Sequence, residues 1–183
     1  MGTRPTLPPA LETLRKLRQT RKFTSEPVSD EALNAILEVA RWTGSAKNSQ
    51  PWEFIVIRDP ERIARIAAMG VYSGFLKGAP LVIALVLDGY AMRSEAYDEG
   101  RVSERIMLAA QELGLGSGTG WWGGDEASAA VKQELGVPAE KRLYSGIAIG
   151  HPAEASTPAA SVSGGRKPLT DLVHYETFGS QSA

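Results

Sequence analysis

The sequence predicts a protein of mixed α and β structure, and three observations support this prediction. Leu33, Ile36 and Ala40 recur at the spacing of an amphipathic helix. The stretch 81–87 is continuously apolar and rich in β-branched residues, which is typical of a strand buried on both faces. Helical and strand patterns alternate along the chain, but few of the connections resemble the regular crossovers of a parallel sheet.

Two helices are predicted in the first quarter of the chain. Proline suits the first turn of a helix, and the pair at 8–9 precedes an apolar stripe with a period of three to four. Ser29 is a good N-cap for the second helix, because Asp30 and Glu31 follow it and suit the positive helix start. Gly44 can end that helix in the left-handed conformation.

The remaining elements follow from chain breakers and periodicity. Asp59 and Pro60 end a strand and begin the third helix, and the glycine-punctuated stretch 69–80 is expected to be a connection. Asp88 and Gly89 close the apolar strand. The other predicted elements are a strand over 54–57, a helix over 98–113, a strand over 117–122, a helix over 125–135 and a strand over 144–149. An extended linker rich in Ala, Ser, Pro and Gly is predicted over 152–165.

Composition limits the kinds of protein this chain can be. Its 183 residues suffice for a single domain, 1–183, with a sizeable core. The net charge of −1 disfavours general nucleic-acid binding, and the absence of cysteine excludes disulfides and thiolate metal sites. With His151 and His174 as the only histidines, no metal site is expected. The apolar runs are too short for a membrane span and no signal core is visible, so a cytoplasmic location is expected.

Basic residues form two clusters in this near-neutral chain. Residues 1–23 carry six basic side chains against one acid, and Arg166 and Lys167 form a second basic spot. Arg18 and Arg21 are expected to lie close together, because residues three apart are neighbours on a helical turn. Guanidinium groups match phosphate oxygens, so the clusters indicate a local anion site. The alternative is a solvated basic helix end, which the helix dipole favours.

Glycine and small polar residues crowd two further stretches. Residues 44–52 form a polar loop between a helix and a strand, with many hydrogen-bonding groups suited to a polar, planar ligand. A plain helix-to-strand connection with an Asn turn is the alternative. Six glycines between 114 and 124 surround Trp121 and Trp122, and glycine permits close backbone approach to a ligand. For the two tryptophans, core packing is the alternative.

Three motifs carry a family resemblance that extends across almost the whole chain. Residues 45–52 read Ser-Ala-Lys-Asn-Ser-Gln-Pro-Trp and resemble the signature loop of the FMN-dependent nitroreductase family. Arg18, Arg21 and Phe23, ahead of a Pro-Val pair and a helix, resemble the first motif of that family. Leu-Ala-Ala followed by Leu-Gly-Leu-Gly, over 108–116, is similar to the family as well.

The resemblance implies a fold and an assembly. The fold would be α+β, with a central mixed β-sheet flanked by helices. The functional unit would be a homodimer, in which the C-terminal arm 166–183 reaches the partner subunit and adds a strand there. FMN would lie at the interface, with Arg18 and Arg21 from one subunit and the Ser45 loop from the other.

The resemblance also implies the residues that bind FMN. Arg18, Gln19 and Arg21 would hold the phosphate and ribityl chain, although the family often has Ser where Gln19 stands. Arg166 and Lys167 would form a C-terminal phosphate clamp. Around the flavin ring, Ser45 and Asn48 would donate or accept side-chain hydrogen bonds, and Ala46 would contribute its backbone. Gln50 would support the pyrimidine side of the ring. The backbone N–H of Gly123 or Gly124 would face flavin N5. Gly44 replaces a common proline of the family.

The resemblance finally implies an activity, the ping-pong reduction of nitroaromatics, quinones or similar acceptors by NADH or NADPH through flavin N5. No triad, carboxylate pair or metal cluster is visible in the sequence, so no catalytic side chain is nominated. This fits a cofactor that performs the chemistry itself. The short connection before residue 81 implies a short lid and an open site. Flavin fragmentation, dehalogenation and flavin binding without turnover are the alternatives.

Overall fold

A computed structural model describes residues 6–153 and 166–180 of the chain. Nine helices and strands order the described residues: α1 (Pro9–Lys16), α2 (Asp30–Arg41), β1 (Trp52–Ile57), α3 (Pro60–Ala68), β2 (Leu81–Leu87), α4 (Met92–Glu112), β3 (Gly116–Trp121), α5 (Asp125–Leu135) and β4 (Arg142–Gly150). Short 3₁₀ turns occur at Ala46–Asn48, Gly74–Gly78 and Leu169–Asp171. The linker predicted over 152–165 lies mostly outside the described residues.

The four strands form one sheet in the order β1-β2-β4-β3, and each neighbouring pair is antiparallel. The parallel contact of the described chain is an isolated bridge between Gln19 and Ser117, which joins the N-terminal segment to β3. Helices cover both faces of this sheet, so the α+β class is confirmed. The strand that the resemblance implies from a partner's arm stays a prediction.

Strand β2 lies in the middle of the core, as its unbroken apolar sequence predicted. Leu81, Ile83 and Leu85 pack with apolar residues of α2 and α4 on one face. Val82 and Ala84 alternate with them and pack with residues of α3 and α5 on the other face. All seven residues of β2 are buried, so the apolar run is explained by helices on both faces of an antiparallel sheet.

Helix α4 begins at Met92, earlier than the prediction of a start at Asp98. The additional turns have no apolar periodicity, since Met92 and Tyr97 are exposed. They are held instead by Glu95, whose carboxylate oxygens accept the backbone N–H groups of Gly89 at 3.1 Å and Ala91 at 2.9 Å. A helix start that is stabilised by a side chain within its own first turn is difficult to locate from the sequence.

The glycines of β3 make room for the protein's own N-terminal segment. A Cβ atom built on Gly118 would lie 2.4 Å from the backbone oxygen of Thr20, and one on Gly116 would lie 2.7 Å from the Thr20 side chain. Thr20 also donates its backbone N–H to the Ser117 oxygen at 2.7 Å. At these positions the interpretation of a ligand approaching the backbone is wrong, because Thr20 occupies that space.

No helix within 6–153 or 166–180 is both long and apolar enough to cross a membrane. The same residues contain no group of three or more His, Cys, Asp or Glu side chains placed to hold a metal ion.

Candidate functional site

An open cleft lies between the N-terminal segment and α4. Its first part has a volume of about 450 Å³ and brings together residues from both ends of the chain. Arg15, Arg18 and Arg166 supply positive charge there, and Glu104 of α4 lies among them. The two basic clusters of the sequence thus meet in one place through Arg18 and Arg166. Cationic side chains grouped in this way suit an anionic ligand such as a phosphate.

The cleft continues between α4 and β3 into a second part of about 390 Å³. Gln19, Glu104 and Met107 line both parts, so the two form one elongated cleft, which we call the α4 cleft. The second part is lined mainly by small, polar and aromatic residues: Ala96, Glu99, Gly100, Ser103, Thr119, Trp121 and Ser145. The cleft therefore has a cationic end and a polar-aromatic end.

Gln19 is fixed at the junction of the two parts by β3. Its side-chain oxygen accepts the backbone N–H of Thr119 at 2.8 Å, and its backbone forms the parallel bridge with Ser117. With the oxygen engaged, the side-chain amide group of Gln19 has only its NH₂ left to donate to a ligand.

Arg18 and Arg21 do not share a helical turn, because α1 ends at Lys16. The expectation that helical spacing brings the two side chains together is therefore wrong. Arg18 lines the cationic end, and its NH1 donates to the backbone oxygens of Arg15 at 2.8 Å and Leu17 at 2.7 Å. Arg21 instead lies over the ring of Phe75, 5.8 Å from its centroid, and is not among the residues lining the α4 cleft.

The polar loop has a constrained backbone. Lys47, Asn48 and Gln50 have positive φ angles of 54°, 56° and 47°, which side chains other than glycine seldom adopt. The Ser45 hydroxyl accepts the backbone N–H of Gln50 at 2.8 Å and closes the loop. Such strain persists where the surroundings hold it, and it is frequent at ligand sites. The side chains of Asn48 and Gln50 remain exposed.

The loop and the α4 cleft lie against different sides of α4. A Cβ atom on Gly44 would lie 3.0 Å from Arg101 NH2, and Arg105 NH1 donates to the Trp42 oxygen at 3.2 Å. The residues that line the cleft include none from 44–50. One chain therefore does not bring Arg18 and the Ser45 loop together in this cleft.

Gly123 and Gly124 follow β3 and lie outside the lining of the α4 cleft. Gly123 has a φ angle of 103°, which glycine tolerates best. The preceding Trp121 N–H is engaged by Tyr72 at 3.4 Å. Within the part of the chain that the structure describes, the N–H groups of the two glycines have no hydrogen-bond acceptor. They remain available as donors, as the resemblance implies for one of them.

The tryptophan pair divides between core and surface. Trp122 is fully buried, and its indole N–H donates to the Ile66 oxygen at 2.8 Å, so core packing explains it. Trp121 is 43% exposed, lines the α4 cleft and stacks on Tyr144 with ring centroids 5.6 Å apart. Lys167, the second residue of the C-terminal basic spot, is exposed and does not line the cleft.

Glu99 is a site residue that the sequence analysis did not single out. It is 7% exposed, lines the α4 cleft and accepts a hydrogen bond from the Ser145 hydroxyl. Burial raises the pKa of its carboxyl group, against the opposing influence of Ser145 and Arg142. One signal was available, because Glu95, Glu99, Val102 and Ile106 share the helical spacing of one buried face.

The antiparallel sheet between helical layers defines an α+β protein, and the α4 cleft on it is cationic at one end and polar-aromatic at the other. The family model described as the nitroreductase family matches residues 14–69 and 67–151. The chain therefore belongs to the nitroreductase family, and the resemblance noted in the sequence is confirmed at this level.

Named relatives and solved structures agree with this assignment. A Methanothermobacter thermautotrophicus protein, provisionally named NADH dehydrogenase/NAD(P)H nitroreductase, is 30% identical over 148 residues, covering 79% of this chain and 78% of the relative. The FMN reductase [NAD(P)H] of Bacillus subtilis is 26% identical, covering 93% and 75%. The structure of a provisionally named nitroreductase from Desulfovibrio desulfuricans, in complex with FMN, is 34% identical with a TM-score of 0.78, covering 94% and 99%.

Proposed function

We propose that this chain is an FMN-dependent NAD(P)H oxidoreductase that reduces nitroaromatics, quinones or similar acceptors. The observation that carries the proposal is the α4 cleft, in which Arg18 and Arg166 meet at one end and Gln19 leads to a polar-aromatic end. FMN has the matching shape, with an anionic phosphate at one end and a polar, planar ring at the other. The names of the relatives, which include an FMN reductase and an NADPH-flavin oxidoreductase, support the same cofactor pair.

The described residues of one chain fit the phosphate and the ribityl chain of FMN. Arg18 has free Nε and NH2 groups for a phosphate, since within the described chain only its NH1 is engaged. Arg166 faces the same space, and Gln19 is left with its NH₂ as a donor for the ribityl chain. Arg21 and Lys167 would reach the phosphate only by moving from their present positions. When bound, FMN would supply the hydride chemistry.

The flavin ring would be completed by residues of a second copy of the chain. Ser45, the backbone of Ala46, Asn48 and Gln50 belong to a strained loop against the other side of α4, and a twofold axis near α4 would bring this loop over the partner's cleft. Gly123 or Gly124 would offer its free N–H to flavin N5. We therefore propose a homodimer as the functional unit, with the arm 166–183 reaching the partner.

The outer face of α4 fits this assembly. Tyr97 is 71% exposed, and a shallow groove runs over Tyr97, Arg101, Arg105 and Leu108. Small residues at Ala96 and Gly100 in the same groove permit close helix packing. A single domain and a cytoplasmic location remain predictions.

Steady-state kinetics on the FMN-loaded protein test the proposed activity. Oxidation of NADH or NADPH should depend on added quinone or nitroaromatic and follow parallel-line, ping-pong kinetics. Flavin binding without turnover would give a yellow protein that leaves NAD(P)H unconsumed with every acceptor. Loss of the isoalloxazine spectrum, or halide release from halogenated phenols, would reveal flavin fragmentation or dehalogenation instead.

A further inference from the structure

The α4 cleft contains a buried carboxyl group that none of the proposed FMN contacts uses. Glu99 projects from α4 and is 7% exposed, and it lines the cleft beside Thr119 and Trp121. The Ser145 hydroxyl of β4 donates to one of its oxygens, which holds the carboxyl group in one orientation. Within the described chain the second oxygen has no hydrogen-bond partner. A buried carboxyl with one free oxygen at a cleft wall is placed to meet whatever fills that cleft.

The groups around Glu99 act on the pKa of its carboxyl group in opposite directions. Arg142 of β4 acts on Glu99 electrostatically and lowers the pKa of its carboxyl group, but its NH1 lies 3.4 Å from Glu95, which competes for it. Tyr144 donates its hydroxyl to Asp125 at 2.8 Å, and this hydrogen bond and, more weakly, the charge of Glu99 raise the pKa of that hydroxyl group. Burial raises the pKa of the Glu99 carboxyl most strongly, while the Ser145 hydrogen bond and Arg142 lower it.

Few groups that line the cleft can change their charge near neutral pH. The arginines at the cationic end remain protonated, and Gln19, Thr119 and Ser145 do not titrate. Glu104 faces the cleft but is exposed to solvent, so water can stabilise its charge. Asp98 and Glu95 are the other buried carboxyl residues of α4; they lie 3.5 Å from Arg101 and 3.4 Å from Arg142, and neither lines the cleft. Glu99 differs from these groups, because it faces the cleft and its burial disfavours the charged form of its carboxyl group.

We propose that Glu99 is a catalytic acid that donates its proton to the electron acceptor reduced in the α4 cleft, with Ser145 as its positioning residue. This inference rests on the proposed function. Reduction of a quinone to a hydroquinone consumes one hydride and one proton. The hydride comes from the reduced cofactor, and the carboxyl O–H bond of Glu99 breaks as an O–H bond forms on the acceptor oxygen. The carboxylate then regains its proton from solvent water.

The sign of the electrostatic coupling supports this sequence of events. A hydride delivers two electrons with one proton, so its arrival adds negative charge to the cleft. A like charge nearby raises the pKa of a carboxyl group further, which favours the protonated form of Glu99 before the acceptor is reduced. Glu99 would thus be charged least often at the moment when its proton is required.

The Glu99→Gln variant tests the proposal, because it keeps the shape and removes the proton. Reduced, FMN-loaded protein is mixed with benzoquinone or with ferricyanide, which accepts electrons without needing a proton. We expect the variant to reoxidise with benzoquinone roughly 10²–10⁴-fold more slowly and with ferricyanide at the wild-type rate. Glu61→Gln, an exposed position on α3 outside the cleft lining, is the matched control and should behave as wild type. Equal slowing with both acceptors, or none, would overturn the proposal.

A spectroscopic readout is independent of turnover. Reduced-minus-oxidised infrared difference spectra of the loaded protein should show a protonated carboxyl band that Glu99→Gln lacks and Glu61→Gln keeps. Should Glu99→Gln fail to fold, Ser145→Ala serves instead, because loss of its hydrogen bond raises the pKa of Glu99 and shifts the band's titration to higher pH. An unchanged band or titration contradicts the inference. Protein that binds no FMN would contradict the proposed function instead.

Discussion

The side-chain oxygen of Gln19 accepts the backbone N–H of Thr119 at 2.8 Å, across a separation of 100 residues in sequence. This bond ties the N-terminal segment to β3 at the point where the two parts of the α4 cleft join. The cationic end of the cleft is therefore held in register with its polar-aromatic end. An elongated ligand depends on that register, because its two ends are bound by different elements.

Replacing Gln19 by Ala should weaken FMN binding without abolishing it. A neutral hydrogen bond contributes roughly 0.5–1.5 kcal/mol, so the loss corresponds to about two- to tenfold in affinity. Fluorescence titration of the apoprotein with FMN measures it. Gln111→Ala is the matched control, since Gln111 donates to the Thr13 oxygen at 2.9 Å outside the cleft. If both variants bind FMN like wild type, Gln19 does not position the ligand.

Replacing Arg18 or Arg166 by Ala should each cost a charge-assisted contact to the phosphate. The expected loss is roughly 1.5–3 kcal/mol, or about ten- to a hundredfold in FMN affinity. Arg41→Ala, on the exposed face of α2 beside Glu38, is a charge-matched control. Titration with riboflavin, which lacks the phosphate, should show no effect of the two cleft substitutions.

The Arg21→Ala variant tests whether Arg21 binds FMN, as the family motif predicts, although the structure places Arg21 outside the cleft. The family motif predicts that this substitution weakens FMN binding as Arg18→Ala does. In the structure Arg21 lies over Phe75 and outside the cleft lining, so binding through Arg21 needs a rearrangement when FMN arrives. We expect the affinity to fall roughly tenfold, the lower end of the charge-assisted range. Wild-type affinity would remove Arg21 from the site.

Gly118→Ala should destabilise the protein. The new Cβ would meet the Thr20 backbone oxygen at 2.4 Å, and such overpacking costs roughly 1–3 kcal/mol. At this chain length each kcal/mol lowers Tm by about 2–4 °C, which calorimetry can measure. Gly78→Ala, where a Cβ meets nothing within 4 Å, should leave Tm nearly unchanged. Equal Tm values for the two variants would contradict the account of β3.

Leu108→Glu should disrupt the proposed homodimer. Leu108 lines the groove on the outer face of α4, and an unpaired charge buried there would cost on the order of several kcal/mol. Light scattering should give a molecular mass near twice 19.6 kDa for the wild type and near 19.6 kDa for the variant. The variant should also lose its bound FMN. Val56→Glu, an exposed site on β1, is the control. A wild-type monomer that binds FMN fully would refute the shared site.

Asn48→Ala should weaken FMN binding and slow its reduction by NAD(P)H at saturating FMN. Loss of a side-chain hydrogen bond that leaves a partner unpaired costs roughly 1–3 kcal/mol, and a tilted ring approaches the hydride donor less well. Lys47→Ala, at a neighbouring position with a similar φ angle, should leave the affinity nearly unchanged. Stopped-flow absorbance measures the rate of flavin reduction in both variants. Wild-type behaviour of Asn48→Ala would make the loop a simple connection.

Local patterns in the sequence predicted most of the fold. The bounds 81–87 of β2 and 125–135 of α5 agree with the structure, because apolar continuity and turn residues mark both ends. The start of α4 was missed, since Glu95 stabilises it through contacts outside the helical pattern. The role of Gly118 also depends on a distant partner, Thr20, which no local pattern reveals.

The candidate site was predicted through the family motifs more than through local chemistry. The motifs named Arg18, Gln19 and Arg166, and the structure places these three residues in one cleft. They gave no indication of Glu99, because a carboxyl within an amphipathic helix resembles an ordinary surface residue until its neighbours are known. Long-range contacts such as Gln19 with Thr119 are set by strand register, which the sequence did not specify.

Anaerobic titration of the FMN-loaded protein with NADH and NADPH tests the central claim most directly. Hydride transfer to FMN bleaches the flavin absorbance, so the account predicts stoichiometric bleaching by at least one of the two nucleotides and full recovery on addition of quinone. A protein that binds FMN but keeps its oxidised spectrum with both nucleotides, or that binds no FMN at all, would contradict it.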